Sequence, residues 1–336
     1  MATSPLAFSP KEFKCLIASD ATNAGATGIH ATAMNQLDVD SVSFPSLNVT
    51  QALDVRTGSS GATLKEEDFF QDNTLRVVEL GLSGTLHDDV GHRLLLANIC
   101  GAAQADDTNQ TIAAGHKIIP QKYGAFAVTD NASSLTVVIQ PSDITNQTAL
   151  EFPGMVVTNF SITSDLGTEG GRYKFSCTLQ SGVKPDLANV LNITNYVPYA
   201  NTTTASLSDA SGIKVFALEA IMNSFTTTID YPAVFAGAQS TGYQTVGRGA
   251  ECSVTHDCSI KYDAATKGLV NSFDAQTAAL AENMFIIVNN GAFGIDTANG
   301  VLTNVAYSEG DIMMLDVSIK AVDDGTDELL IVDLSE

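Results

Sequence analysis

Apolar and polar side chains alternate most sharply in two stretches that match position by position. The first begins Val156, Val157, Thr158, Asn159, Phe160, Ser161, Ile162, Thr163, turns through a Gly-rich segment and returns over 172–180. The second begins Val301, Leu302, Thr303, Asn304, Val305, Ala306, Tyr307, Ser308, turns at Glu309 and Gly310 and returns over 311–320. On the return, Tyr173, Phe175, Cys177 and Leu179 alternate with Lys174, Ser176, Thr178 and Gln180. Met313, Leu315, Val317 and Ile319 likewise alternate with Met314, Asp316, Ser318 and Lys320. A period of two with one apolar face predicts an antiparallel hairpin, buried on one side and wet on the other. The inward positions of the leading strands are then Val156, Thr158, Phe160 and Ile162, and Val301, Thr303, Val305 and Tyr307. A slip of one residue would exchange the faces, so each register is well specified.

The remaining elements fall in a repeating order around these hairpins. In the first half, strand patterns occur at 13–18, 42–49 and 75–82, and the small-residue stretch 21–33 reads as an extended arm. Between them, 54–74 is a long loop, with Gly and Ser in front and a charged, aromatic patch behind. Leu94, Leu95 and Ile99 form an apolar stripe that predicts a helix over 90–100, with Asp88 or Asp89 placed to cap it. Strands at 125–128 and 135–139 precede the first hairpin, and 181–211, dense in Asn, Thr and Ser, joins the halves. The second half has a strand pattern at 213–231, a Gly-rich loop at 232–248, a strand at 251–262, a helix near 275–283 and a strand at 285–288. Within it, Thr255-His256-Asp257 reads as an echo of Leu86-His87-Asp88. The order strand, long loop, strand, helix, hairpin thus occurs twice. It predicts a duplicated β unit, with domains at 1–185 and 212–336 and a linker at 186–211.

Composition agrees with a β-rich chain. Of 336 residues 44% are hydrophobic, enough for one large or two ordinary cores, and only 16% are charged. The formal net charge of -22 is spread along the chain, which argues against phosphate binding, since that needs clustered Lys and Arg. The same charge suits a surface that repels nucleic acid, or one that keeps the protein soluble. Five cysteines form no regular framework, so assembly in a reducing cytoplasm is the simplest account. The opening segment lacks a basic-then-apolar leader pattern, and no stretch approaches a membrane span. Trp is absent and aromatic residues are 7%, which disfavours stacking platforms for single strands or sugars.

Two constellations could carry chemistry. His87, Asp88, Asp89 and His92 offer donors that suit Zn, Mn or Fe. The His pair is not at the i, i+4 spacing that sets two ligands on one helical face, and capping beside surface histidines is the simpler reading. Cys252, His256 and Cys258 share one face of one strand, without the fourth ligand and turn that zinc requires. A packed thiol pair beside a hydrogen-bonded His is the simpler account there. With no nucleophile elbow, phosphate loop or dinucleotide fingerprint, the sequence predicts no catalytic residue, cofactor or metal, hence no enzyme.

The run Phe152-Pro153-Gly154-Met155-Val156-Val157-Thr158-Asn159-Phe160-Ser161-Ile162, preceded by a helix after Gly84-Thr85 and by a long loop, resembles the tail tube (major tail) proteins of long-tailed bacteriophages. Phe44-Pro45-Ser46-Leu47-Asn48-Val49 and Arg248-Gly249-Ala250-Glu251-Cys252-Ser253-Val254 fit the same pattern. The resemblance implies a mainly β protein of two tandem β-sandwich domains, each with a short flanking helix. Their sheets join between subunits into a β-barrel channel. It implies a structural virion protein that stacks as rings into the tail tube, the conduit for DNA ejection. Candidate stacking residues are Arg56, Lys65, Glu66, Glu67, Phe69 and Phe70 in the first loop, and Tyr243 and Arg248 in the second, which lacks the Phe-Phe and Lys-Glu-Glu features. Channel-wall candidates are Asn159, Lys174, Asn304, Asp316 and Lys320. Single-domain members close as six-membered rings, so two units per chain imply rings of three chains with pseudo-sixfold symmetry. The implied partners are further copies of the chain and the tape-measure, tail terminator and distal tail proteins. DNA passes without specific binding, no membrane is entered, and assembly takes place in the host bacterial cytoplasm. The alternatives are a secreted or surface β-sandwich adhesin, and a hydrolase with a metal at His87, Asp88 and His92.

Overall fold

The computed structural model describes residues 12–19, 34–45, 50–53, 69–72, 77–101, 103–104, 115–118, 134–141, 149–190, 193–199, 205–237, 245–249, 251–274, 284–289, 292–308 and 311–334. Over these the chain is mainly β, with two helices, Val90–Cys100 and Lys267–Asp274. The larger sheet runs Tyr196–Val197, Met34–Leu37, Phe13–Ser19, Leu135–Pro141, Ala149–Asp165, Met222–Asp230, Ser253–Lys261, Met314–Ala321, Gly300–Ser308. Ala149–Asp165 is its hub. The front of this strand pairs with Leu135–Pro141 and Asp186–Val190, and its rear with Met222–Asp230 and Lys174–Ser181. From Lys174–Ser181 the sheet branches through Val78–Thr85 to Ser41–Ser43. A second sheet orders Leu218–Glu219, Gly212–Val215, Phe285–Asn289, Phe293–Thr297, Leu330–Asp333, Gly115–Ile118, Ala103–Gln104.

Both sheets mix strands from the two halves of the sequence, and one apolar cluster runs from Cys15 and Leu80 to Ile319 and Val332. Burial of this apolar surface is the main favourable term in holding the layers together. Tyr173, Phe225, Phe285 and Phe293 meet at its centre, with Tyr173 and Phe293 ring centroids 4.2 Å apart. A buried phenol needs a partner. The Tyr173 hydroxyl donates to Asn289 Oδ1 at 2.6 Å, and the Asn289 amide donates in turn to the Ser206 carbonyl.

Strand registers repeat between the halves. Ile162 stands opposite Phe175 as Tyr307 stands opposite Leu315, and each leading strand has a bulge at the Thr of Val-x-Thr-Asn. At the bulge Thr158 Oγ1 donates to the Thr178 carbonyl, and Thr303 Oγ1 to that of Ser318. Cys177 faces Leu82 as Val317 faces Cys258, and those faces continue to Val42 and Phe225. Buried acids match too: Glu151 sits between Val138 and Asp186 as Asp296 sits between Ile286 and Ile331.

Some expectations are corrected. The pattern 213–231 is broken at Phe216 and Ala217, whose φ of 53° and 61° make a two-residue turn between Val215 and Leu218. Positive φ at both central residues suits the twist of a tight hairpin. Each long loop carries a paired ribbon: Thr50–Leu53 with Phe69–Asp72, and Ala233–Ala236 with Thr245–Arg248. The second described helix, Lys267–Asp274, precedes the expected segment 275–283, which lies outside the described residues, as do the arm 21–33 and the strand 125–128. His256 faces Ile319 as Leu80 faces Leu179, so its counterpart is Leu80 and not His87. Strand Asp186–Val190 falls inside the stretch read as linker.

Candidate functional site

Alternation in the larger sheet puts Phe160, Phe175, Leu179, Val317 and Ile319 into the core and leaves a polar face on the other side. One row across it runs Thr85, Lys174, Thr163, Thr226, Asp257, Ser318, Asn304. The next holds Asp165, Ser224, Ser259 and Asp316. Asn159 lies in the row of Asp230, and Lys320 in that of Thr255 and Thr228. All five channel-wall candidates therefore share this face. Its charges include the carboxylates Glu79, Asp165, Asp230, Asp257 and Asp316 and the cations Arg172, Lys174, Lys261 and Lys320, a nearly even balance among hydroxyls. Ser318 Oγ donates to Asp257 Oδ1 at 2.5 Å, and the Ser161 and Ser176 hydroxyls meet at 2.8 Å. A groove of about 500 Å³ opens here, lined by residues that include Thr163, Lys174, Thr226, Asp257 and Asp316. Carboxylates stand between the cations, so the surface offers a polyanion no purely basic patch.

The quartet at the first helix divides into separate pairs. Asp89 caps the helix, its Oδ1 accepting from the His92 backbone N–H at 2.8 Å and lying 2.9 Å from His92 Nδ1. His87 Nε2 meets Asp38 Oδ2 at 2.8 Å, while Asp88 accepts from Arg93 Nε. Both histidines are buried, not on the surface as expected, because His92 packs its ring against Phe175 and His87 tilts against Tyr199. Among the described residues no group of three His, Cys, Asp or Glu side chains is placed to hold a metal ion. Burial raises the pKa of Asp89, but the side-chain hydrogen bond and charge of His92 outweigh it and hold the carboxyl below its ordinary range. Asp89→Ala should cost about 2 kcal/mol, by losing the cap and stranding a buried ring nitrogen. Urea unfolding at neutral pH checks this. The Asp89 contribution is present above the ordinary Asp pKa and fades as pH falls through the lowered one.

His256 is hydrogen-bonded on both sides, to Thr227 Oγ1 at 2.9 Å and Thr297 Oγ1 at 2.8 Å, and stacks on Phe285. Cys258 is buried on the same strand face as His256, as the even spacing predicts, whereas half-buried Cys252 precedes the strand, which begins at Ser253. Arg248, a stacking candidate, turns inward. Its guanidinium donates to the carbonyls of Val157, Tyr231 and Asn98 at 2.7, 2.8 and 2.7 Å and lies over the Tyr231 ring. This clamp joins the second ribbon to the end of the first helix, and nothing in the local sequence signals it. Phe69 and Phe70 lie on a ribbon strand opposite Leu53 and Ala52. Arg56, Lys65, Glu66, Glu67 and Tyr243 lie outside the described residues.

No family model matches the chain, and no curated protein matches it either.

Proposed function

We propose that the chain is a structural subunit of a bacteriophage tail tube, built from two tandem β-sandwich units that each contribute one sheet to a channel wall. The observation that carries this reading is the repeat of strand registers, down to the bulge at Thr158 and Thr303. The first unit then extends to Val190, since Asp186–Val190 lies beside Glu151 as Leu330–Asp333 lies beside Asp296. The wet, hydroxyl-rich face supports a role as the inner wall: Asp165, Asp257 and Asp316 offset Arg172 and Lys174 in its groove, so DNA would meet no purely basic patch and slide past unbound. Three chains would close a ring with pseudo-sixfold symmetry, each unit turning about 60°. The paired ribbons are the elements that would reach the next ring, and the tape-measure, terminator and distal tail proteins would meet its ends. The subunit acts as a scaffold within the virion, not as a catalyst.

Electron microscopy of the purified protein tests this. Stacked rings of three chains with the Asn159 and Asn304 faces toward the lumen are expected. A protein that stays monomeric at high concentration, or rings of six chains, would overturn it.

A further inference from the structure

Within the larger sheet the described residues contain one strand pairing between the two sequence halves and two edges on which the same pairing is unmade. Inside the chain, Ala149–Asp165 pairs with Met222–Asp230 from Asn159 opposite Asp230 to Asp165 opposite Ser224. By the repeated registers, the counterpart of the first strand is Gly300–Ser308, which carries the same bulge. The counterpart of the second is Ser41–Ser43, since Val42 faces Leu82 as Phe225 faces Cys258. Among the described residues each counterpart has a strand neighbour on one side only.

Exposure tells the same story. Ile162 and Thr227 oppose one another across the internal contact, and both are 0% exposed. Tyr307 holds the place of Ile162, and Phe44, two residues past Val42, holds that of Thr227. They are 51% and 43% exposed, large apolar side chains on the core side of two open edges. Open edges template pairing with another chain, and facing aromatics stabilise such a pair. On the wet side the same register would set Ser308 against Ser43, as Thr163 stands against Thr226 inside the chain.

We infer that the Gly300–Ser308 edge of one copy pairs antiparallel with the Ser41–Ser43 edge of a second copy, with Tyr307 opposite Phe44. The inference rests on the ring reading above and names its seam. The two edges differ, so the contact is head-to-tail, and with a turn of about 120° per chain it would close as a ring of three.

Tyr307→Cys and Phe44→Cys variants, made singly and in one chain, test it with a short thiol crosslinker. The double variant should give covalent trimers. Each single variant should stay uncrosslinked alone, and a mixture of the two should give crosslinked pairs. Crosslinking of one single variant to itself would mean like edges meet, and would overturn the inference. Three-chain rings in micrographs without any crosslink would overturn the seam and leave the ring reading standing. Absence of rings in the unmodified protein would remove both. As a check that needs no cysteine, Tyr307→Lys and Phe44→Asp should each abolish rings, and the two together in one chain should restore them. Rings that persist in both single variants would also overturn the seam.

Discussion

Replacement of Arg248 by Met is expected to cost about 3–5 kcal/mol of stability, the largest effect of any single substitution outside the apolar core. Three carbonyl oxygens, on Val157, Tyr231 and Asn98, lose their donor together. Each buried acceptor left unsatisfied costs about 1–3 kcal/mol. Asn98 holds the same corner from the other side, its Oδ1 accepting from the Val157 N–H at 2.7 Å. The guanidinium also lies by the last turn of Val90–Cys100, where free carbonyls favour a cation. Burial lowers its pKa to about 10, so it stays charged at neutral pH. Arg248→Lys should recover only part of the loss, because an ammonium cannot span three acceptors in a planar fork. Denaturant unfolding of both variants measures this. A loss under about 1 kcal/mol for the Met variant would show that water satisfies the carbonyls instead.

Acid should destabilise the protein through His256, by up to about 5 kcal/mol at the low end of the titration. Burial pushes its pKa down from 6.5 to about 3, while both ring nitrogens stay occupied by Thr227 and Thr297. The unfolded chain therefore takes up a proton below pH 6.5 that the folded chain refuses until about pH 3. Stability from this group is complete above the upper value and is lost as pH falls through the window. His256→Gln keeps polar contacts but cannot titrate, so the difference in stability between the two proteins should shrink steadily with acidification. Parallel pH profiles for the two proteins would show that the acid response arises elsewhere.

Period-two alternation made the hairpins legible: Phe175, Cys177, Leu179, Leu315, Val317 and Ile319 are all buried as expected. Tyr307 follows the same pattern yet is exposed, because alternation reports which face a side chain takes and not whether a neighbour covers it, while Val301 and Thr303 miss the core because the bulge at Thr303 sets Leu302, not Val301, opposite Ile319. The turn at Phe216 and Ala217 was hidden because neither residue is one that usually signals positive φ. Helix Lys267–Asp274 contains Gly268 and Asn271, both poor helix formers, and among its residues only Leu269 is buried. Asp89 as the cap was readable from local sequence. The pairing of His87 with Asp38, and the reach of Arg248 to Asn98, join residues far apart in the chain and leave no local trace.

The matched bulges have a consequence for how the chain reaches its native state. Strands Ala149–Asp165 and Gly300–Ser308 present the same kink and the same Thr-to-carbonyl bond, so the backbone of either fits the return strand of the other. Misassembly between like segments is a characteristic hazard of tandem folds. Discrimination falls to volume: Phe160 stacks on Phe175 with centroids 5.9 Å apart, where the second hairpin has Val305 and Leu315. Crossed hairpins would part the two rings, setting Phe160 opposite Val317 in one and Phe175 opposite Tyr307 in the other, so that the stacked pair is lost. Divergence between the copies thus acts as a proofreading device during synthesis, when the earlier hairpin emerges first and can close before its rival exists.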